Sequence, residues 1–310
     1  MKIAYLFSGQ GAQYPGMMLE LYNNYPAAAR MFHQADQVLE RSVSALCFEG
    51  TQEELNMTHN TQPCLLAAEL AAHAVLAEFG VKPSAVAGFS LGEYAALTVA
   101  GVMTPADALR TVQLRADAMQ AAVPVGQGAM AAIMGVSAEE VEAMCATVAD
   151  GYVIAANYNS PTQTVVSGDV AGVDAVLALA EQKGVRAMRL NVSAPFHSAL
   201  MEPAARKLEQ AFPGIPFGEP TVAAYMNVNA EPLANAAATA GLLVRQAMSP
   251  VRWQQTLQNM WRDGIDTFVE IGPGSTLSSF VKKTLKEAAV CRVENQKTLE
   301  EALSMLGVQV

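Results

Sequence analysis

The stretch Gly88-Phe89-Ser90-Leu91-Gly92 constrains this chain more than any other. A short apolar run, residues 84–87, enters it, and a helical pattern, residues 91–101, leaves it. A strand that turns at once into a helix puts one residue on a sharp, strained corner, and glycines two positions to either side let the backbone close there. The Ser90 hydroxyl then stands off the end of the strand. The helix behind it offers free N–H groups and the positive end of its dipole. Such a corner belongs to an α/β sheet of parallel strands. The five-residue pattern alone is common, so an ordinary serine at a helix start stays open until a base is found.

The rest of the chain fits that architecture. Residues 2–9 read as a buried parallel strand ending in Ser-Gly. Residues 64–80 are apolar on nearly every side and predict a buried helix stopped at Gly80. Residues 104–122 predict a helix with Thr104 as its cap and Pro105 in the first turn. After Pro124 the pattern changes to β-α-β-β-α-β, the order of a ferredoxin-like unit, with two strands meeting at Asn159-Ser160-Pro161 and a helix opened by Ser137 with Glu140. The predicted division is therefore a large α/β-hydrolase-like subdomain, residues 1–124 and 194–310, and a ferredoxin-like subdomain, residues 125–193, inserted into it. Ser249-Pro250 reads as another helix start, and residues 265–274 as a strand entering a Gly-Pro-Gly turn.

Composition narrows the classes. A formal charge of −10 argues against nucleic acid and anionic membranes as partners. No apolar run approaches the ~20 residues of a membrane span. Four cysteines lie far apart with no Cys-x-x-Cys, which indicates neither zinc nor disulfides and fits a reduced, cytoplasmic protein. The segment "FSGQGAQ" (7–13) lacks the Lys-Ser or Lys-Thr of a phosphate loop.

A serine nucleophile needs a base. Of the four histidines, His73 sits in the apolar helix and reads as core, and His33 and His59 have polar neighbours. His197 is the only one after Ser90, just past the inserted unit, where Pro195 enforces an extended approach. Asp169 and Asp174 lie between them but belong to a turn and a helix of the inserted unit, so a backbone carbonyl is the better candidate to orient His197. Arg115 falls on the apolar face of its helix with Ala108, Val112 and Met119. An arginine pointing inward needs an anion: either a buried Asp or Glu, or a substrate carboxylate held bidentately. In the Gly-rich turn after the first strand, the N–H of Gln10 is a candidate to complete an oxyanion hole with that of Leu91; a plain tight turn is the other reading.

These segments, with "NTQP" (60–63), "QLRADAMQ" (113–120), "NYNSPTQTVVSG" (157–168), "APFHSALM" (194–201), "LVRQ" (243–246), "SPVRW" (249–253) and "EIGPG" (270–274), resemble the malonyl-CoA:acyl-carrier-protein transacylases and the related acyltransferases of polyketide synthases. The resemblance covers nearly the whole chain. It implies Ser90 as nucleophile, His197 as base oriented by the Gln246 carbonyl, and Gln10 and Leu91 as oxyanion hole. It also implies Arg115 on the extender carboxylate and Gln62 in the pocket. The implied substrates are malonyl-CoA and the phosphopantetheine thiol of an acyl carrier protein, with no metal or cofactor and a monomer as the working unit. Phe196 matches malonyl-selective enzymes and would fill the space of a 2-methyl group. Phe89 stands where His is usual, which admits an unusual extender. Fatty-acid enzymes usually carry Ser at the Phe196 position, which points to a free-standing polyketide acyltransferase. Lys282, Lys283 and Lys286 are candidates for docking an acidic carrier. The competing reading, a hydrolase clearing stalled acyl groups, has no use for Arg115; a non-catalytic carrier-binding protein has no use for Ser90 and His197.

Overall fold

The computed structural model describes residues 1–124, 126–192 and 194–308. Among the described residues, nine strands form two sheets: β1 (Ile3–Phe7), β2 (Ala85–Gly88), β3 (Gly128–Met134), β4 (Val153–Ser160), β5 (Gln163–Asp169), β6 (Arg186–Arg189), β7 (Ala223–Tyr225), β8 (Thr267–Ile271) and β9 (Ala289–Val293). The first sheet runs β7-β2-β1-β8-β9 and is parallel throughout. The second runs β4-β5-β3-β6 and is antiparallel throughout, the ferredoxin-like order. The α/β class expected from the sequence is therefore the one observed. The proposed boundary residues of the inserted unit, Val125 and Ser193, lie outside the described residues.

The central strand β1 shows why its sequence is apolar without a break. Tyr5 and Phe7 pack on one face with Val86, Val269 and the helix Thr58–Glu78, while Ala4 and Leu6 pack on the other with Phe268, Trp253 and Leu257. Strands covered on both faces alternate between two cores rather than between core and water. Each large side chain sealed there is worth about 1.5–3 kcal/mol. In the second sheet, Ala129, Ala131 and Ile133 face the helices Ala138–Ala146 and Val170–Gln182. Met130, Ala132 and Val165 face the large subdomain, against Met119, Phe196 and Met201.

Three local expectations need correction. The helix predicted from residue 64 begins at Thr58, so Pro63 lies inside it. Pro63 has no N–H for the His59 carbonyl, and side chains take that carbonyl instead: Arg41 at 3.0 Å and Gln113 at 3.3 Å. Strand β4 runs through Ser160, so its turn lies one residue later than read. Ser249-Pro250 does not open a helix; Ser249 ends the helix Thr239–Met248 and the next helix is Trp253–Arg262. The residues between are extended because Val251 exchanges hydrogen bonds with β4, donating to Ala156 and accepting from Tyr158, each at 2.9 Å. That pairing ties the second sheet to the large subdomain beside a register shift in β4.

Candidate active site

Strand β2 ends at Gly88, and Ser90 follows at φ +54°, a left-handed conformation that costs a non-glycine residue about 1–3 kcal/mol. The flanking glycines are required by contact distances. A methyl group on Gly88 would fall 1.9 Å from the Gly92 carbonyl, and one on Gly92 would fall 2.3 Å from the Phe7 carbonyl oxygen. The helix Gly92–Val99 therefore leaves the corner in contact with both β1 and β2.

His197, 3% exposed and itself at φ +59°, places Nε2 at 2.7 Å from Ser90 Oγ. Its Nδ1 lies 2.9 Å from the Gln246 main-chain oxygen. A carbonyl only accepts, so Nδ1 carries the proton and Nε2 turns its lone pair to the serine hydroxyl. Gln246 lies in the last turn of the helix Thr239–Met248 and the chain is extended from Ser249, so no intrahelical N–H claims that oxygen. Burial lowers the His197 pKa to about 4, with the Arg115 charge adding to the effect and hydrogen bonds at Gln246 and Ser249 opposing it. The ring is thus neutral, and available as a base, at any pH well above 4.

Arg115 is 1% exposed on the helix Pro105–Ala122. It donates to Gln62 Oε1 at 2.6 Å, to Gln246 Oε1 at 3.0 Å and to Ser90 Oγ at 3.2 Å, and its guanidinium lies 5.5 Å over the Tyr94 ring. Burial lowers its pKa, and Tyr94 and Glu93 oppose that shift. Among the described residues no carboxylate forms an ion pair with it, and its Nε has no partner. Of the two partners left open by the sequence, a directly paired Asp or Glu is absent among the described residues, and buried Glu93 acts on the guanidinium only at longer range. A guanidinium held only by neutral oxygens beside a serine hydroxyl can take up a carboxylate on the serine's acyl group.

Gln246 also donates from Nε2 to the Ser90 carbonyl at 2.6 Å, so it touches Ser90, His197 and Arg115 together. Ser90, His197, Arg115, Gln62, Gln10, Leu91, Phe89 and Phe196 all line one cavity of about 250 Å³ between the two sheets. The N–H groups of Gln10 and Leu91 have no acceptor among the described residues. Phe196 packs in the wall with Met119, Met130 and Val165. Phe89 stacks edge-to-face on Trp253, ring centres 5.5 Å apart.

A family model described as acyl transferase domain matches residues 4–303. The chain belongs to the acyl transferase family. This acyl transferase is 42% identical over 308 residues to a malonyl CoA-acyl carrier protein transacylase of Bacillus subtilis, covering 98% of this chain and 97% of that one. It superposes with a TM-score of 0.95, at 40% identity, on a malonyl-transacylase solved in complex with a type II polyketide acyl carrier protein, covering 98% of this chain and all of the other. An acyl-carrier-protein S-malonyltransferase of Burkholderia pseudomallei gives the same score, identity and coverage. The resemblance read from the motifs is borne out at the level of family and fold.

Not every sequence expectation converges on the acyl transferase site. Lys282 and Lys283 are exposed at the end of the helix Thr276–Thr284, Lys286 lies beyond it, and none lines the cavity. His33 is exposed, while His73 stacks on Tyr5 and burial lowers its pKa to about 4, as expected of a core histidine. Two residues at the elbow were not read from the sequence. Asn227 accepts from the Ser90 N–H at 2.7 Å, and Glu93 accepts from the Asn227 N–H at 2.6 Å. Asn227 lies 137 positions from Ser90 and carries no local signal. Asn157, Asn159 and Gln163 also line the cavity, within a segment quoted only for its resemblance. No helix among the described residues is long and apolar enough to cross a membrane.

Proposed function

We propose that this acyl transferase moves a malonyl group from coenzyme A to the phosphopantetheine thiol of an acyl carrier protein, with Ser90 carrying the group between them. The observation that supports it best is the unpaired Arg115 guanidinium 3.2 Å from Ser90 Oγ. In the forward half-reaction Ser90 Oγ attacks the thioester carbonyl while His197 Nε2 takes its proton. The N–H groups of Gln10 and Leu91 receive the developing oxyanion. The C–S bond breaks, and the coenzyme thiolate leaves with the proton held by His197. The carrier thiol then gives its proton to His197 and attacks the acyl carbonyl, and the C–O bond to Ser90 breaks as His197 returns that proton to Ser90 Oγ. Side chains and main-chain N–H groups of one copy supply every step, so the reading needs neither cofactor nor a second subunit. A coenzyme A thioester as donor puts the reaction in the cytoplasm.

Phe196 beside the base supports an unbranched extender, and Phe196 in place of the serine usual in fatty-acid enzymes supports service to a separate polyketide carrier, while Phe89 leaves room for an unusual extender. The names of the relatives, transacylases acting on acyl carrier protein, support the acceptor. The test is intact-protein mass spectrometry within seconds of mixing with malonyl-CoA or acetyl-CoA. A malonyl adduct that is absent in Ser90→Ala and transfers to an added carrier protein is expected. No adduct in the wild type, or an adduct that persists in Ser90→Ala, overturns the reading.

A further inference from the structure

We propose that Asn227 and Glu93 form a clamp that holds Ser90 in its left-handed conformation, which makes both of them positioning residues for acyl transfer. The inference rests on the reading of Ser90 as nucleophile.

Strand β7 pairs with β2 as far as Ala87 opposite Tyr225. Beyond that point the β2 main chain turns away into the elbow, and Asn227, 1% exposed, takes over with its side chain. Its Oδ1 accepts the Ser90 N–H at 2.7 Å, and its Nδ2 donates to the Gly88 carbonyl at 2.6 Å. One planar amide thus satisfies the donor and acceptor on either side of Phe89, as a further strand residue would have done. Asn227 is fixed in turn: its N–H donates to Glu93 Oε2 at 2.6 Å, and its carbonyl accepts from the Arg252 N–H at 3.0 Å. The Glu93 N–H donates to the Ser90 carbonyl at 3.2 Å, which closes a ring of three hydrogen bonds through Ser90, Asn227 and Glu93. A strained backbone persists only where its surroundings over-determine it, and this ring does so.

Glu93 acts here as an acceptor and not as the counter-ion of Arg115. It is 1% exposed, and no ion pair joins it to Arg115 among the described residues. Burial raises its pKa to about 8, so near neutrality much of it is uncharged. Glutamine at this position would keep the oxygen that Asn227 needs.

The experiment is single-turnover acylation by malonyl-CoA, followed by mass, for the wild type, Asn227→Ala, Glu93→Gln and Glu93→Ala, with thermal unfolding of each. Loss of the ring is expected to slow acylation about ten- to hundred-fold in Asn227→Ala and Glu93→Ala. The half-saturating malonyl-CoA concentration should stay within about threefold, since the cavity wall is untouched. Glu93→Gln is isosteric and keeps the fold, and its acylation rate should stay within about threefold of wild type. Loss in Glu93→Gln as large as in Glu93→Ala would assign Glu93 to the charge balance of Arg115 and overturn the clamp. Wild-type acylation by a folded Asn227→Ala would overturn it as well. Absence of any adduct in the wild type would instead strike at the nucleophile reading itself.

Discussion

The two walls of the cavity are built on opposite plans. On the parallel-sheet side, Ser90, His197, Gln246 and Asn227 are linked by hydrogen bonds of 2.6–2.9 Å, and two of the four residues have positive φ. On the antiparallel-sheet side the wall is Met130, Ala132 and Val165, with Phe196 packed against them and Asn157, Asn159 and Gln163 adding polar groups, all in ordinary backbone conformations, and it ends at the exposed strand β6. One wall holds Ser90 and His197 in place through hydrogen bonds. The other is shaped mainly by side-chain volume. In this reading chemistry and acyl choice are separable, with Arg115 the point at which they meet.

That separation can be attacked at three places. Arg115→Ala should remove the carboxylate contact and lower malonyl acylation on the order of 10²- to 10³-fold, from the loss of two charge-assisted hydrogen bonds. Acetyl acylation should change far less, and equal losses with both donors would show that Arg115 serves the elbow rather than the substrate. A smaller effect is expected from Phe196→Ala. Opening the wall should raise the ratio of methylmalonyl to malonyl acylation about ten- to hundred-fold while the malonyl rate holds. A fall in the malonyl rate without a gain in methylmalonyl would place Phe196 with the chemistry after all.

The smallest effect is one of pH. Glu93 has a folded pKa raised from 4.5 to about 8, so the folded state holds its proton over a range in which the unfolded state has lost it. Its contribution is complete below pH 4.5 and is lost as pH rises through 8. The melting temperature of Glu93→Gln relative to wild type should therefore climb by a few degrees between pH 5 and pH 9. Met130→Leu in the opposite wall should show a difference that is flat with pH. A pH-dependent difference for Met130→Leu, or a flat one for Glu93→Gln, would break the contrast.

What the sequence discloses follows the same divide between local and remote causes. The elbow is legible because strand, glycines, serine and helix are consecutive, and Thr104-Pro105 and Ser137 with Glu140 cap their helices as read. Arg115 is legible because helical period sets its face, although period cannot name its partner. Pro63 misleads because the side chains that relieve its lost hydrogen bond, Arg41 and Gln113, lie 18 and 54 positions from the His59 carbonyl they reach. Val251 misleads for a like reason: its partner strand belongs to the other sheet. Asn227 is silent because a side chain that imitates a strand has no pattern of its own.

The carbonyl of Gln246 has one more consequence. A carboxylate behind a catalytic histidine can be lost by a single codon change. Here the supporting oxygen belongs to the main chain, at the C-terminal end of a helix whose aligned peptides gather partial negative charge. No replacement at position 246 other than one that disrupts the helix can delete it. The oxygen stays unclaimed because the helix ends two residues later and the chain is extended from Ser249 on. Inheritance of the orienting group therefore rests on where the helix stops and not on the side chain at position 246.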